Sequence, residues 1–380
     1  MMIDILQFFF VIIISLYLTI FIGRKLHLGH NLSVLIFSMH TLFCVLYWYF
    51  YTQVGYADAV MYYNQSFLLD FDWKPGTSFV ISLTKVFTNI FGLNNLNTFL
   101  VFNMIGVVGI QFLLRVLLDI WPKSRSFISY MPYFIIFLPG QSFWSSAIGK
   151  DGISYLSISI LLYGFHTHKY HYIIASILLM TTIRPHIALV MILSSLVVFV
   201  ISRFPKGLSK HTLLLFCILS LYFGLIIALN FLGLSSLSID SVLGFIDSRE
   251  SLTMGGGSSY GTDKTFIERV YMFMFAPLFF EAKNVRALIF SLENLFILIF
   301  VIKYILFNLL SILKKIREPI VCYILAYSTV LIVILSITTT NIGIALRQKY
   351  MVLPFLFVLG AIAAKDYYIK SRYKKNIVEI

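Results

Sequence analysis

The amino-acid sequence predicts an all-α polytopic membrane protein with about 11 transmembrane helices, one short Arg-Pro hairpin, and re-entrant or amphipathic helices at the outer face. Hydrophobic residues make up 59% of the 380 residues and charged residues only 12%, whereas an ordinary soluble domain carries about 25% charged residues. Aromatic residues reach 17%, which suits a lipid-facing surface with interfacial belts. These proportions exclude an ordinary soluble domain and indicate a single integral membrane domain over residues 1–380.

The basic residues predict the orientation. Cytoplasmic loops collect Lys and Arg, so we expect the basic clusters that close the apolar runs to face the cytoplasm. Most of the 29 lysines and arginines fall on this side, and the opposite side is nearly neutral. The net charge of +13 therefore follows from topology, with some attraction to anionic lipid, and needs no nucleic-acid partner. The clusters are Arg24-Lys25, Lys123 with Arg125, Lys169, Arg203 with Lys206 and Lys210, Lys314-Lys315-Arg317, and the tail from Lys365 to Lys375.

Two helices open the chain. The apolar run Leu6 to Gly23 is long enough to cross a bilayer. Asp4 precedes it and Arg24-Lys25 follow it, so we predict a retained first helix with its N-terminus outside. The run Leu32 to Thr52 returns outward. Residues 53–97 then form an outer loop with an amphipathic or re-entrant helix, because the apolar part of this loop is short for a crossing.

The middle of the chain contains the predicted hairpin. Thr98 to Ile120 and Gly152 to Phe165 are predicted to run inward, and Phe127 to Ser146 outward. The segment Tyr170 to Ser202 has basic turns on the same side at both ends, yet Arg184-Pro185 interrupts it. One straight helix of that length would span about 50 Å, and two full crossings need about 40 residues. A short hairpin fits best, and its tip would lie in a polar cavity below the outer surface.

The last part of the chain has the largest outer loop. Leu213 to Gly233 is predicted to run outward into a polar loop over residues 234–285, whose Gly and Ser residues are typical of binding loops. The end of this loop, Glu268 to Glu281, is predicted to be a helix at the interface. Further crossings place the C-terminus in the cytoplasm; they are Ala287 to Leu310, Pro319 to Ile337 and Tyr350 to Ala364.

Four cations are expected at the outer face, namely Lys150, Arg184, Arg347 and Lys349. Fixed cations stabilise the negative charge that develops on a phosphate or diphosphate leaving group. Arg suits bidentate contact with phosphate, and Lys suits a point contact. Each residue alone is better explained as an interfacial side chain that reaches toward water. Four of them arriving from separate helices indicate an anion site.

Asp58 is the first candidate for a general base, because an acid just past a membrane helix can accept a proton from a sugar hydroxyl. Tyr62 follows four residues later on the same helical face, where an aromatic ring can stack on a sugar. The alternative is that Asp58 caps an interfacial helix. Asp151 and Glu281 are the other candidate acids. The remaining candidates for substrate binding are Trp144, His186, Arg249 and Arg269.

Four short stretches carry most of these residues: Phe143 to Asp151, Ile183 to His186, Ala276 to Ala282 and Leu346 to Tyr350. They resemble motifs in membrane proteins of bacterial surface-polysaccharide clusters. These are the multi-spanning C-type glycosyltransferases (GT-C) and the O-antigen or capsule repeat-unit polymerases of the Wzy type. One difference is that Asp58 follows the second helix, whereas the acid-rich loop of C-type glycosyltransferases follows the first.

The resemblance implies an active site at the outer leaflet of the bacterial cytoplasmic membrane. The donor would be a sugar or oligosaccharide on polyprenyl phosphate or diphosphate, and the acceptor a glycan. An outer-loop acid would deprotonate the acceptor hydroxyl, while Arg or Lys would hold the phosphate, and no metal or cofactor is expected. Polymerisation of repeat units is favoured over transfer of a single sugar.

Two alternatives come from other classes of protein. A flippase for lipid-linked oligosaccharides would carry charge along several helices and show pseudo-symmetric halves. The charges here concentrate at one predicted face, which favours chemistry over passage. A membrane acyltransferase would need a catalytic histidine near the donor, and His186 is the only histidine predicted near the outer cluster.

Overall fold

The computed structural model describes residues 2–203 and 264–378 apart from 56, 124–126, 283 and 340, together with the isolated positions 215, 219 and 222. Helices account for the regular secondary structure of this part of the chain, and it contains no β-strand, so the all-α prediction is confirmed. The chain divides into two units. The first unit comprises Met1–Asp119 and Tyr130–Pro185, and the second comprises Ile120–Ser129 and His186–Ile380.

The helices of the first unit begin with two long elements, and shorter helices precede and follow the long helix α5 along the chain. A π-helical turn, Val86–Ile90, extends α4. The helices are α1 (Met2–Lys25), α2 (His30–Val54), α3 (Asp58–Leu68), α4 (Thr77–Lys85), α5 (Asn95–Ile120), α6 (Met131–Ile136), α7 (Pro139–Ser145), α8 (Lys150–Thr167) and α9 (Tyr170–Ile183).

The helices of the second unit include one with an irregular centre. A π-helical turn, Val301–Ile305, and a 3₁₀ turn, Leu306–Asn308, join α12 to α13. The helices are α10 (Pro185–Arg203), α11 (Phe266–Phe275), α12 (Val285–Phe300), α13 (Leu309–Lys314), α14 (Pro319–Thr338), α15 (Ile342–Gln348) and α16 (Leu353–Val378).

Several helices are long and apolar enough to cross a bilayer. Within the described residues there are 5, or up to 6 when a pair bent by 52° between α15 and α16 counts as one span. This confirms a protein with several membrane-length helices, although the predicted count of about 11 crossings is not reached in this part of the chain. The predicted crossing Leu213 to Gly233 and most of the loop over residues 234–285 lie outside the described residues. The five spans are Met2–Lys25, His30–Gln53, Asn95–Ile120, Ala287–Lys314 and Pro319–Thr338.

The predicted crossing Phe127 to Ser146 is not one helix. It consists of a 3₁₀ turn followed by α6 and α7, which are separated at Pro139. Proline lacks a backbone N–H and disfavours the helical conformation in the residue before it, and Leu138 accordingly has φ −59° and ψ 125°. The two prolines of this run, Pro132 and Pro139, each stand at the start of a short helix.

Helices α8 and α9 form an antiparallel hairpin. His168 ends α8 with a left-handed conformation, φ 55°. The Ser157 hydroxyl of α8 donates to the Ser176 carbonyl of α9 over 2.7 Å. The hairpin brings the start of α8 next to the end of α9. The hairpin predicted from the sequence is a different one, between α9 and α10; these helices break at Arg184 as expected, but they belong to different units, so that hairpin stays a prediction.

Helix α5 packs closely against α8. A Cβ atom at Gly109 would lie 2.9 Å from Cδ1 of Tyr155 and 3.1 Å from the backbone of Leu156. Contacts this short force the neighbouring atoms to move. Glycine at position 109 therefore permits the approach of the two helices.

We predict that Gly109→Ala destabilises the protein by about 1–3 kcal/mol, although alanine is the better helix former. The measurement is the melting temperature of the purified protein in detergent. Gly29→Ala is the matched control, because no atom lies within 4 Å of the added Cβ at this position. Equal melting temperatures for the two variants would contradict the packing of α5 against α8.

Candidate functional site

The first cluster of candidate residues is an ion pair in the first unit. Arg184 Nη2 donates to Asp151 Oδ1 over 2.6 Å, and the two side chains are only 10% and 17% exposed. Arg184 ends α9, with φ −143° and ψ 74°, because the residue before a proline disfavours the helical conformation. The hairpin of α8 and α9 therefore joins the motif Phe143 to Asp151 to the motif Ile183 to His186.

Lys150 adds a second cation beside this pair. Its ammonium donates to the Thr77 hydroxyl at the start of α4 over 3.0 Å. The loop before α4 is fixed to the end of α9 by a hydrogen bond of 2.9 Å from Gly76 N to the Thr182 carbonyl. The beginnings of α4 and α8 and the end of α9 therefore meet. Helix N-termini carry partial positive charge, so the starts of α4 and α8 add positive potential to a place that already holds Lys150, Arg184 and Asp151.

Tyr62 lies next to the start of α8. It is 3% exposed, and a Cβ atom at Gly149 would lie 3.5 Å from Tyr62 Cε2. Gly149 has φ 154°, a conformation that favours glycine. Asp58 is exposed and begins α3 one turn before Tyr62. The alternative role of Asp58 is to cap this helix, but the N-cap residue is Ala57. Asp58 lies in the first turn, where its negative charge interacts favourably with the helix N-terminus.

Trp144 is part of an aromatic cluster between α2 and α7. Its ring lies edge-on to Phe143 at 5.2 Å and to Tyr47 at 6.1 Å between ring centroids. The side chain is 9% exposed. In the described structure Trp144 therefore contributes to packing beneath the motif that it belongs to.

A buried polar network holds the turn that precedes Lys150. His40 Nε2 lies 2.9 Å from Ser145 Oγ, and His40 Nδ1 lies 2.5 Å from Asn103 Oδ1. The Asn103 amide also donates to the Thr41 hydroxyl over 2.9 Å, and the Cys44 thiol lies 3.6 Å from the Ser146 carbonyl. His40, Asn103 and Ser145 are buried, so we interpret the network as a clamp from α2 and α5 on the end of α7.

Sequence reasoning missed this network. The available signal was a histidine inside the apolar run Leu32 to Thr52 and an asparagine inside Thr98 to Ile120. Polar residues within membrane helices are costly and are commonly paired with one another. That rule identifies His40 and Asn103 as candidates for a buried partnership.

The second cluster lies in the second unit and joins the other two motifs. The Asn294 amide nitrogen donates to the Pro277 carbonyl over 2.9 Å, and its oxygen accepts a hydrogen bond from the Lys349 ammonium. One residue earlier on α12, Glu293 accepts a hydrogen bond from the Tyr350 hydroxyl. The motifs Ala276 to Ala282 and Leu346 to Tyr350 therefore meet on α12.

The candidate site residues of the second unit differ in how far they are buried. Lys349 is fully buried and its ammonium is engaged by Asn294. The exposed Glu281 carboxylate accepts a hydrogen bond of 2.7 Å from Leu278 N. Arg347 is half-buried in the last turn of α15, and His186 is half-buried near the start of α10. Arg249 lies outside the described residues.

Arg269 is buried near the start of α11. Its Nε donates to the Lys264 carbonyl over 3.2 Å. Thr265 and Glu268 form a capping box that fixes this helix start. Hydrogen bonds from the Thr265 backbone and hydroxyl lower the pKa of the Glu268 carboxyl. Arg269 is therefore held in place by the local structure of the α11 start.

Metal ligands are not grouped in the described residues, where no three or more His, Cys, Asp or Glu side chains are arranged to hold a metal ion. A scan against protein-family models, a search of curated proteins and a search of solved structures found no match. The functional interpretation therefore depends on the two clusters and on the motif resemblance.

We predict that Asp151 and Arg184 are energetically coupled by about 1–3 kcal/mol. Asp151→Asn and Arg184→Gln each leave one buried charge without its partner, whereas the double variant removes both charges. The double variant should therefore be more stable than the sum of the single effects predicts. Thermal unfolding of the four proteins in detergent measures the coupling, and simple additivity would contradict the ion pair.

We predict that Lys349→Met destabilises the protein by about 2–4 kcal/mol, because Asn294 loses a donor and buried Glu293 loses a nearby positive charge. Adding Glu293→Gln should recover part of the loss. Lys365→Met, at an exposed lysine of α16, is the matched control. A melting temperature of Lys349→Met equal to that of the control would show that the buried ammonium contributes nothing.

Proposed function

We propose that this protein transfers a sugar or oligosaccharide from a polyprenyl-phosphate-linked or polyprenyl-diphosphate-linked donor to a glycan acceptor, and that it polymerises repeat units of O-antigen, capsule or exopolysaccharide. The reaction would take place at the outer face of the bacterial cytoplasmic membrane, in a chain with about 11 crossings, its N-terminus outside and its C-terminus cytoplasmic. The ion pair of Asp151 and Arg184 carries the proposal, because it joins two polysaccharide-enzyme-like motifs beside Lys150.

The donor phosphate is proposed to bind at the start of α8. When the bond between the anomeric carbon and the phosphate oxygen breaks, negative charge develops on the leaving phosphate. A cation that is already fixed nearby stabilises this charge without reorganisation. Lys150 is proposed as this cation, because it is half-buried in the first turn of α8 and held by Thr77. In this proposal the ion pair of Arg184 with Asp151 fixes the start of α8 and thereby positions Lys150.

Asp58 is proposed as the general base that accepts the proton of the acceptor hydroxyl. It is exposed, and it precedes by one turn Tyr62, whose ring lies next to Gly149, the residue before Lys150. Among the three candidate acids Asp58 is preferred, because it is exposed at the start of α3 and lies one turn before Tyr62.

The cations of the second unit have separate proposed roles. Arg347 stays a candidate anion ligand within the second unit by itself, where it is half-buried in the last turn of α15. Lys349 is buried and its ammonium donates to Asn294, so we propose a structural role for it in the second unit.

Deletion of the gene, followed by gel analysis of the surface polysaccharide, tests the proposal. We expect a single-repeat band in place of the ladder, because repeat units would still be made and transferred without being joined. A truncated or undecorated glycan would instead indicate a single-sugar glycosyltransferase of the C type. Accumulation of lipid-linked units in the inner leaflet would indicate a flippase, and an unchanged ladder would contradict all three functions.

Complementation with variants tests the site. We predict that Asp58→Asn lowers polymer formation by about 100-fold or more, as expected for loss of a general base, and that Lys150→Ala also abolishes the ladder. Asp70→Asn and Lys74→Ala are matched controls, because both residues are exposed in the segment between α3 and α4. Immunoblots should show equal amounts of all four proteins in the membrane. A normal ladder with Asp58→Asn or Lys150→Ala would remove that residue from the mechanism.

A further inference from the structure

A groove in the second unit lies outside the proposed sugar-transfer site. Its volume is about 640 Å³, within the range of about 300–1,000 Å³ that is typical of small-molecule sites. The lining is mostly apolar and includes Ile299, Ile302, Phe307 and Ala364. Among the described lining residues the one charged side chain is Lys303. An apolar groove with one cation suits an amphiphile that has an apolar tail and an anionic head.

Lys303 stands inside a membrane-length apolar helix. It belongs to the span Ala287–Lys314. At a rise of 1.5 Å per residue, Lys303 lies about 16 Å along the helix axis from Lys314, the end of the span. Its contact in the described structure is the Tyr304 ring, whose centroid lies 5.3 Å from Lys303 Nζ, and no described carboxylate pairs with it. A charge within an apolar span is costly unless it has an anionic partner or reaches water. An anion in the groove would supply that partner.

The backbone at Lys303 is irregular at the same place. Residues Val301–Ile305 form a π-helical turn, a conformation that often marks functional sites. Tyr304, also in the lining, is 5% exposed, and its hydroxyl is buried without a hydrogen-bond partner among the described residues. Its ring packs against Trp121 at 5.4 Å and Phe300 at 5.0 Å. A buried hydroxyl gains stability when a ligand oxygen accepts a hydrogen bond from it.

We propose that this groove binds one anionic phospholipid of the surrounding bilayer. Lys303 contacts the headgroup phosphate, and Ile299 and Phe307, which are 54% and 81% exposed, contact an acyl chain. A phosphodiester would be a partner for both Lys303 and Tyr304, because its oxygens accept hydrogen bonds from an ammonium and from a hydroxyl. The basic residues that follow on the same chain, Lys314, Lys315 and Arg317, increase the local concentration of anionic lipid.

Lipid-dependent thermal unfolding tests this site. The full chain is purified in a neutral detergent, and its melting temperature is measured against added phosphatidylglycerol or phosphatidylcholine. We expect phosphatidylglycerol to raise the melting temperature in a saturable manner and phosphatidylcholine to have little effect. Lys303→Gln should increase the half-saturating concentration of phosphatidylglycerol about tenfold or more. Lys74→Gln, at an exposed lysine outside the groove lining, should leave it unchanged.

A second variant fills the groove without removing the cation. Ile299→Trp adds an exposed ring to the lining and should abolish the response to phosphatidylglycerol while Lys303 is intact. An unchanged response in Lys303→Gln or in Ile299→Trp would overturn the proposal. An equal response to phosphatidylcholine, or a response to undecaprenyl phosphate alone, would overturn the assignment of the ligand. These measurements report lipid binding alone, so their outcome does not depend on whether the protein transfers sugars.

Discussion

The pairing of buried charge is the constraint on which the first unit depends. Asp151 and Arg184 are both largely shielded from water, and a buried charge that loses its partner is strongly destabilising. A shift of α9 along α8 would separate the two charges, so the ion pair fixes the alignment of the hairpin. The hydrogen bond from Ser157 to Ser176 specifies the same alignment halfway along the two helices. The ion pair thereby also fixes the start of α8, where Lys150 lies beside Thr77 and Tyr62 lies beside Gly149.

The pairing of buried polar groups also organises the second unit and the network of His40, Asn103 and Ser145 at the end of α7. Buried polar groups need hydrogen-bond partners, and helices with mainly apolar surfaces offer few of them. Asn294 therefore connects two distant motifs through one amide group, since its nitrogen donates to Pro277 and its oxygen accepts from Lys349. His40 links α2 to α5 and α7 in a similar way. In each case sparse polar groups decide which apolar helices lie side by side.

The sequence predicts the long helices well, because an apolar run of membrane length is a local signal. The run Leu6 to Gly23 lies within α1, and Thr98 to Ile120 lies within α5. Which helices pack together is not a local property, so the sequence does not predict the pairing of α8 with α9. The apolar run Phe127 to Ser146 has the length of one crossing, although Pro139 divides it. For the site, the sequence placed Asp151 and Arg184 on the same face but as separate candidates. Their ion pair requires the antiparallel alignment of two helices, which residue types alone do not specify.

The motifs around residues 151 and 184 meet through opposite charges. Exchange of the two charges tests it most directly, by thermal unfolding of Asp151→Arg, Arg184→Asp and the combined variant in detergent. Each single exchange places two like charges together and should lower the melting temperature strongly. The account predicts that the combined variant recovers a large part of this loss. A combined variant that is as unstable as the two single effects added together would contradict it.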